Sequence, residues 1–384
     1  MPRLKFWSPK EEFLILEILP HGVSGLLLTL DGEKRLRPER FWENFSLENL
    51  TRQFRLRWRK RIVIAAADPS LAVTLYVPAR LEREPAAAKE PLGIVELENL
   101  VAQSVGKVFN QCRKEASRML MVDELDTVLV GTKVHDFKVD GHRVLDPVGF
   151  QGKRVDAVLE LTLTTRVVFD AWRHLFHGSR DFLFTDLARS ALTVLAKLNA
   201  PSVNLVTLGN GHASFFILEP AATGTVIYRR PLKWRTGHVL EAIAASIGAG
   251  ARATEELYRK YLLGEMSDRA RNRFFGVMRP VLGKLFEEIG KTRLRGKTYL
   301  DSHMPLPISF PKRHGKVTID PLLPFKLAEE LGFRVKENEW AMPQSRVFRY
   351  LAPFLEFYYD KSNSLINQKL WRRLHWLAPS SKEL

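Results

Sequence analysis

Two stretches of this sequence repeat one arrangement: an apolar run, a tight turn that contains glycine, and a second apolar run. The first is "FLILEILPHGVSGLLLTL", residues 13–30, and the second is "VNLVTLGNGHASFFIL", residues 203–218. Each stretch predicts a β-hairpin, followed by a candidate third strand at 61–67 or 225–228 and then by helical segments. Because the two units lie about 190 residues apart, they predict a duplicated, two-lobed α/β fold.

The sequence between the hairpins contains a separate α+β unit. Residues 96–119 have the apolar spacing of a helix, and residues 128–139 and 155–164 are typical of strands. Asp140-Gly141 is a common two-residue hairpin turn. Residues 80–165 are therefore expected to form a small subdomain inserted into the larger fold.

Further helices are predicted outside this unit, and a Pro-rich stretch near the C-terminal third is expected to be a loop. The loop is at 304–315, and the helices are at 166–176, 183–198, 238–247, 253–263, 270–289, 324–331 and 345–360.

The composition favours a globular protein and excludes several classes. Apolar residues make up 45% of the 384, which is enough for a sizeable core. A single cysteine, Cys112, excludes a disulfide scaffold and a cysteine-based zinc site. Glu17 and Pro20 interrupt the first apolar run, which argues against a signal peptide, and no run reaches the roughly 18 apolar residues of a membrane-spanning helix.

The net charge of +16 indicates a polyanionic partner: nucleic acid, an anionic lipid surface or an acidic protein. The stretch "FRLRWRKR", residues 54–61, alternates apolar and basic side chains. It is interpreted first as a charged edge that protects a strand from pairing, and second as a binding surface. Because no nucleic-acid recognition motif accompanies it, no nucleic acid is expected as a partner.

The middle of the chain resembles a known family. In residues 134–165, an Asp140-Gly141 turn is followed by Pro147-Val148-Gly149 and then by Gly152-Lys153-Arg154-Val155. This order is similar to the signature of the inserted subdomain of FtsA, the actin-like bacterial protein that tethers FtsZ to the membrane during division. Looser similarity extends over residues 10–380. The pilus-assembly protein PilM shares this architecture and is the alternative.

The resemblance implies a two-lobed actin-like fold, with duplicated ribonuclease-H-like lobes and an inserted FtsA-type α+β subdomain. It assigns residues 10–80 and 166–200 to the first lobe, 81–165 to the inserted subdomain, 201–237 and 298–360 to the second lobe, and 238–297 to a distal subdomain of the second lobe.

The loops that hold phosphate in this fold differ here from the family pattern. In the first loop, Glu17 keeps the acidic position, but Pro20 has no N–H to offer a phosphate. The second loop normally reads Asp-x-Gly-Gly-Gly-Thr-x-Asp, and here it is "TLGNGHAS", residues 207–214, without either Asp. Because magnesium prefers anionic oxygen ligands, the hydroxyl of Thr207 is a poor substitute.

The nucleoside part of the site also departs from the pattern. The adenosine loop is normally Thr-Gly-Gly-Gly, and its counterpart "YLDSHMP", residues 299–305, has no glycine. Glu255 keeps a ribose-facing carboxylate, while Tyr258 replaces the expected lysine. His212 and His303 are interpreted as polar loop residues rather than catalytic groups, because no nucleophile or paired carboxylate is near them in the sequence.

These departures predict a degenerate nucleotide cleft in a protein that is not an enzyme, without a metal or other cofactor; ATP binding by a polymerising actin homologue is the alternative. The residues expected to line the cleft are Glu17, Gly22, Ser24, Gly209, Asn210, Gly211, His212 and Glu255.

The C-terminal stretch 364–378 predicts an amphipathic helix that lies on a membrane. It carries three Lys or Arg residues and no acid between residues 366 and 377, and FtsA proteins end in a similar helix. Packing of this helix on the protein body is the alternative interpretation. The residues expected at the membrane are Ile366, Leu370, Trp371, Leu374 and Leu377 on the apolar face, with Lys369, Arg372 and Arg373 beside it.

The resemblance and the tail together imply a scaffold at the cytoplasmic face of the cell membrane. The expected partners are an FtsZ-like or other division protein, further copies of this chain and an anionic membrane surface. The inserted subdomain is expected to serve self-association or recruitment, and the basic stretch 266–284 to accept an acidic peptide. The alternative role is a PilM-like scaffold in pilus assembly.

Overall fold

A computed structural model describes residues 11–45, 62–178, 182–198, 202–209, 212–221, 224–292, 294–303, 306 and 312–359. The strands are β1 (Glu11–Leu19), β2 (Gly22–Leu30), β3 (Arg35–Phe45), β4 (Ile62–Ala67), β5 (Ala72–Glu82), β6 (Thr127–Val139), β7 (His142–Arg143), β8 (Arg154–Thr165), β9 (Phe182–Asp186), β10 (Val203–Leu208), β11 (Ala213–Ala221), β12 (Gly224–Pro231), β13 (Lys297–Ser302), β14 (Arg313–His314), β15 (Val317–Thr318) and β16 (Arg334–Val335). The helices are α1 (Ile94–Leu120), α2 (Arg166–Gly178), α3 (Leu187–Leu198), α4 (Gly237–Ile247), α5 (Ala251–Leu263), α6 (Asp268–Gly290), α7 (Pro324–Glu330) and α8 (Gln344–Tyr359).

Two of the sheets have the same topology. In the first, β1 pairs antiparallel with β2 and parallel with β4. In the second, β10 pairs antiparallel with β11 and parallel with β13. Strands β3 and β12 complete the repeat, each antiparallel to the second strand of its hairpin. In the first sheet the two-residue strand β16 pairs with β3 on its other side. The two hairpins are therefore equivalent parts of a duplicated sheet.

The predicted third strands are not equivalent to one another. The strand predicted at 61–67 is β4, whose counterpart in the second sheet is β13. The strand predicted at 225–228 lies in β12, whose counterpart in the first sheet is β3. The sequence pattern missed β3 because Pro38 and several charges interrupt it. Strand β16 pairs with β3 only at Arg35 and Leu36, so Pro38 lies beyond that pairing and is tolerated beside a bulge.

Side chains of the first sheet alternate between two cores. Phe13 and Ile15 point into a core that also contains Leu205 and Phe216 of the second sheet and the apolar faces of α3 and α8. Leu14, Leu16 and Ile18 point the other way, where Trp172 of α2 packs. Because both faces are covered, β1 is a nearly continuous apolar run. Helices α3 and α8 lie between the two sheets and join them.

The third sheet, in the order β5-β8-β6-β7, packs on α1 around its own core. The predicted Asp140-Gly141 turn connects β6 and β7, and both residues have the positive φ values that such a turn needs, 47° and 87°. At the same end of this sheet, the buried guanidinium of Arg83 binds both oxygens of Glu96, at 2.7 and 2.8 Å. It also donates to the carbonyls of Glu90 and Gly152, each at 3.1 Å, so it fixes the loops around the start of α1.

Helices α4, α5 and α6 cover the outer face of the second sheet. Their apolar side chains form a core with Val206, Leu208 and Phe215. Trp234 is buried in this core and donates from Nε1 to the carbonyl of Val281 at 2.9 Å. None of the helices in the described part of the chain is long and apolar enough to cross a membrane.

The helix predicted at 183–198 is wrong at its beginning. Phe182–Asp186 is strand β9, parallel to β4, and the helix α3 begins at Leu187. A short apolar run does not distinguish a strand from a helix, and here pairing with β4 decides. Asp186 Oδ1 accepts the N–H of Ala188 at 3.0 Å, which starts the helix.

Candidate functional site

The two repeats meet where β4 and β13 end. The N–H of Asp68 donates to the carbonyl of Ile18 at 2.9 Å, and the N–H of His303 donates to the carbonyl of Leu208 at 2.9 Å. Asp68 and His303 therefore occupy the same position in the two sheets. Their side chains join across the cleft, with His303 Nε2 2.9 Å from Asp68 Oδ2.

Asp68 is the centre of a buried group of polar side chains. Its Oδ1 lies 3.3 Å from His212 Nε2 and accepts the N–H and hydroxyl of Ser70 at 2.8 and 2.6 Å. Burial would raise the pKa of Asp68, but the neighbouring imidazoles of His212 and His303 outweigh burial and hold the pKa well below its usual range. The carboxylate is therefore charged, and both histidines are oriented toward it.

Arg349 of α8 lies between carboxylates of the two lobes. Its Nε donates to Asp301 Oδ1 at 2.9 Å, and its Nη1 donates to Glu17 Oε1 at 3.2 Å. Nη1 also contacts Nδ1 of His303. Burial would lower the pKa of Arg349, but Asp301 and Glu17 raise it, so the guanidinium is charged. The other oxygen of Glu17 accepts the Tyr350 hydroxyl at 3.3 Å.

Arg229 of β12 forms a further tie between the lobes. Its Nη1 donates to the carbonyl of Pro69 at 2.7 Å, and its Nε donates to Ser214 Oγ at 3.3 Å. Burial lowers the pKa of Arg229 and raises the pKa of nearby Asp186 to about 6, while the mutual attraction of the two groups opposes both shifts.

The turn after β10 is shaped by one close approach. The N–H of Gly209 donates to the carbonyl of His212 at 2.9 Å, and the carbonyl of Gly209 accepts the Thr236 hydroxyl at 3.1 Å. A Cβ atom on Gly209 would overlap the imidazole ring of His212. Glycine is therefore required here for packing space, so that the ring can reach Asp68.

Four of the residues predicted to line the cleft lie in or beside this group. Glu17 and Ser24 are buried and face each other in the β1–β2 hairpin, and Gly209 and His212 flank the second turn. Gly22 pairs with Leu19 at the start of β2. Asn210 and Gly211 lie outside the described residues.

Glu255 is on the exposed face of α5, and Tyr258 of the same helix is buried in the core below it.

The sequence interpretation missed Asp68, Asp301 and Arg349, and it predicted none of the contacts that His303 makes with two of them. His303 is 14% exposed and joins two charged groups. The available signal was an Asp or His directly after a buried parallel strand, where side chains of neighbouring strands meet at one edge.

The cleft residues do not fit a magnesium nucleotide. Glu17 and Asp301 are already paired with the guanidinium of Arg349, so a magnesium ion would have to displace a buried cation. No group of three His, Cys, Asp or Glu side chains within the described part of the chain has the geometry of a metal site. Thr207, at the position of the absent Asp, has a buried hydroxyl without a hydrogen-bond partner among the described residues.

A second buried network links the inserted sheet to both lobes. Arg189 of α3 lies 2.8 Å from Glu160 of β8 and contacts Glu356 of α8. His135 of β6 lies 3.5 Å from Glu160 and 3.1 Å from Asp136, which accepts the N–H of Thr225 in β12 at 3.2 Å.

This network stabilises the charged form of His135. Burial would lower its pKa, but hydrogen bonds to Asp136 and Glu160 outweigh burial and raise the pKa to about 9. The imidazolium, charged at neutral pH, therefore lies between two carboxylates of the inserted sheet, one of which contacts Arg189 of α3 and the other Thr225 of β12.

Solved structures identify the fold. The chain superposes on the "PilM-PilN type IV pilus biogenesis complex" with a TM-score of 0.50 at 17% identity, covering 90% of this chain and 98% of that one. It also matches a Bacteroides thetaiotaomicron protein described as having an actin-like ATPase fold and unknown function, with a TM-score of 0.35, 8% identity and coverage of 88% and 95%. A third match is the activator of 2-hydroxyisocaproyl-CoA dehydratase from Clostridium difficile with bound ADPNP, with a TM-score of 0.35, 9% identity and coverage of 92% and 96%.

The class defined by this architecture is the actin-like ATPase fold, as the sequence analysis predicted. No model of a known protein family matches the chain. A search of curated proteins also finds no match. These comparisons therefore show the actin-like ATPase fold, and they do not show FtsA in particular.

Proposed function

We propose that this protein is a non-catalytic scaffold with an actin-like fold, in which the cleft joins the two lobes instead of turning over ATP. The observation that carries this proposal is the guanidinium of Arg349 between Glu17 and Asp301. Its single positive charge is shared between the two carboxylates, at the place where a magnesium ion would otherwise compensate them. The ion pair also requires the lobes to be close together, so cleft closure does not depend on nucleotide.

The proposed partner is a PilN-like protein of an envelope assembly. Support comes from the fold likeness to a PilM–PilN complex over nearly the whole of both chains. The second candidate is a cell-division scaffold with an FtsZ-like partner. The motif at 134–165 and the Trp-, Leu- and Arg-containing tail favour that candidate.

One experiment separates the two candidates. The tagged full-length chain is crosslinked in the cells that produce it, purified, and its partners are identified by mass spectrometry. Enrichment of a PilN-like protein is expected, and enrichment of FtsZ would support the division role instead. Recovery of neither, with copies of the chain crosslinked to one another as a positive control, would contradict both partner assignments.

The protein is further proposed to bind the inner face of the membrane through residues 364–378, which lie outside the described residues. Removing residues 365–384 is expected to abolish binding to anionic vesicles. The physical reason is that three cations contribute about 3 kcal/mol at such a surface, in addition to insertion of apolar side chains. Vesicle co-sedimentation measures this, with removal of residues 380–384 alone as the matched control. Undiminished binding after the longer deletion would exclude the tail as the anchor.

A further inference from the structure

A pocket of about 280 Å³ opens at the junction of α3, β13, α7 and α8. Its walls combine apolar side chains with charged ones of both signs, Lys297, Asp320, Lys326 and Glu330. The apolar side chains include Leu195, Leu198, Tyr299, Leu323, Leu327 and Phe348. Five of these side chains are buried or half-buried, whereas Leu323 is 46% exposed at the rim. The volume is sufficient for one large apolar side chain, such as Trp or Leu.

The chain leaves α8 beside this pocket. Lys197 of α3 donates from Nζ to the carbonyl of Tyr359 at 3.1 Å, and the Tyr359 hydroxyl donates to the carbonyl of Leu331 directly after α7. The last turn of α8 is therefore held between the two helices that supply much of the pocket wall. Residues 360–384 begin at this point.

The length of the remaining chain is sufficient to reach the pocket. Phe348 lines the pocket and lies about 16 Å along α8 from Tyr359, at 1.5 Å per residue. Trp371 follows Tyr359 by twelve residues, which span roughly 40 Å when fully extended. A short connection also gives a high effective concentration, on the order of millimolar, so weak docking is enough to fill the pocket.

The chemistry of the tail matches the pocket. Trp371, Leu370 and Leu374 form an apolar stripe if the segment is helical. The charged side chains at the pocket balance one another: Lys297 and Lys326 accompany Asp320 and Glu330, and Lys326 lies 3.7 Å from Glu330. The match therefore rests on the apolar stripe rather than on charge.

We propose that this pocket is a docking site for residues 364–378 of the same chain and that docking competes with the membrane. The same apolar stripe is needed for both, so the two states exclude each other. The tail is then masked in the protein away from the membrane and released at an anionic surface. The competition rests on the proposed membrane function, whereas docking itself does not.

The test uses the full-length chain with trypsin, which cleaves after Lys369, Arg372 and Arg373. Proteolysis follows the population of the open form, so docking slows cleavage at these three bonds. The variant Leu323→Arg places a charge at the pocket rim, and Leu263→Arg is the matched control, because Leu263 is 57% exposed on α5 in another part of the fold. Glu330→Lys, an exposed substitution, is a second pocket variant.

Both pocket variants are expected to accelerate cleavage at these bonds about tenfold. They are also expected to bind vesicles of phosphatidylglycerol and phosphatidylcholine more tightly, while Leu263→Arg does neither. Cleavage at the rate of Leu263→Arg in both pocket variants would overturn the docking site, whatever the vesicles show. If the two pocket variants are cleaved faster but neither the wild-type chain nor any variant binds vesicles, docking is upheld and the membrane function is refuted.

Discussion

At the scale of single residues, the cleft depends on a guanidinium. Arg349 is 4% exposed and binds one carboxylate from each lobe, and Asp68 is 1% exposed between two histidines. Buried charges of this kind persist only when each is paired and hydrogen-bonded. The side chains of the cleft are therefore a set in which the loss of one member leaves another charge without a partner.

Replacing Arg349 by methionine is expected to reduce the free energy of unfolding by about 3–5 kcal/mol, because Glu17 and Asp301 would remain buried without their cation. The matched control is Arg346→Met on the same helix. Arg346 pairs with Glu43 at the surface, and its loss is expected to cost about 1 kcal/mol or less. Denaturation in urea measures both variants. Equal costs for the two would contradict a structural role for the cleft cation.

Gly209→Ala is expected to destabilise the protein by about 1–3 kcal/mol, because the new Cβ overlaps the ring of His212. In a His212→Ala background the same change is expected to cost much less, since the obstructing ring is gone. Thermal unfolding of the four proteins in this cycle gives the coupling energy. Additive costs would show that the ring does not pack on the glycine.

At the scale of elements, the sequence patterns predicted what is local. The hairpins at 13–30 and 203–218 and the helix at 96–119 correspond to β1–β2, β10–β11 and α1, because their apolar spacing and turn residues act over short distances. β3 was missed because Pro38 and charged residues interrupt its pattern, and β9 was misassigned because only three of its five residues are apolar, which is too short a run to distinguish a strand from a helix.

Most of the site could not be predicted for a related reason. Asp68, Asp301 and Arg349 come from three distant parts of the chain, and no spacing in the sequence indicates that their side chains lie close together. Only parallel pairing of β1 with β4 and of β10 with β13, together with the placement of α8, brings them together.

The inserted sheet is expected to lose stability in alkaline solution. The pKa of His135 rises from 6.5 to about 9 on folding, so its contribution is fully present below pH 6.5 and is lost as the pH rises through 9. This pKa shift corresponds to a contribution of at most about 3 kcal/mol to the free energy of unfolding.

Urea denaturation at pH 6 and pH 9.5 tests this with His135→Gln and, as a control, His142→Gln on exposed β7. The difference in the free energy of unfolding between wild type and His135→Gln is expected to be smaller at pH 9.5 than at pH 6. The corresponding difference between wild type and His142→Gln is expected to stay constant. A His135→Gln cost that does not change with pH would contradict a charged imidazole in the network.

At the scale of the whole molecule, the two lobes are joined by a shared core and by charges. Helices α3 and α8 contribute to a core that contains side chains of both sheets. The ties through Asp68–His303, Arg349 and Arg229 cross the cleft between them. An actin-like ATPase that opens and closes around nucleotide needs a cleft that separates, whereas these contacts stabilise one closed arrangement.

The most direct test is equilibrium binding of a fluorescent ATP analogue to the purified full-length protein, with and without magnesium. We expect no saturable binding up to about 1 mM nucleotide, so that any binding free energy is weaker than about 4 kcal/mol. We also expect that Arg349→Met does not create binding, because Thr207 cannot replace a carboxylate ligand for magnesium. Micromolar, magnesium-dependent binding by the wild-type protein would show that Arg349 and its partners have not replaced the nucleotide.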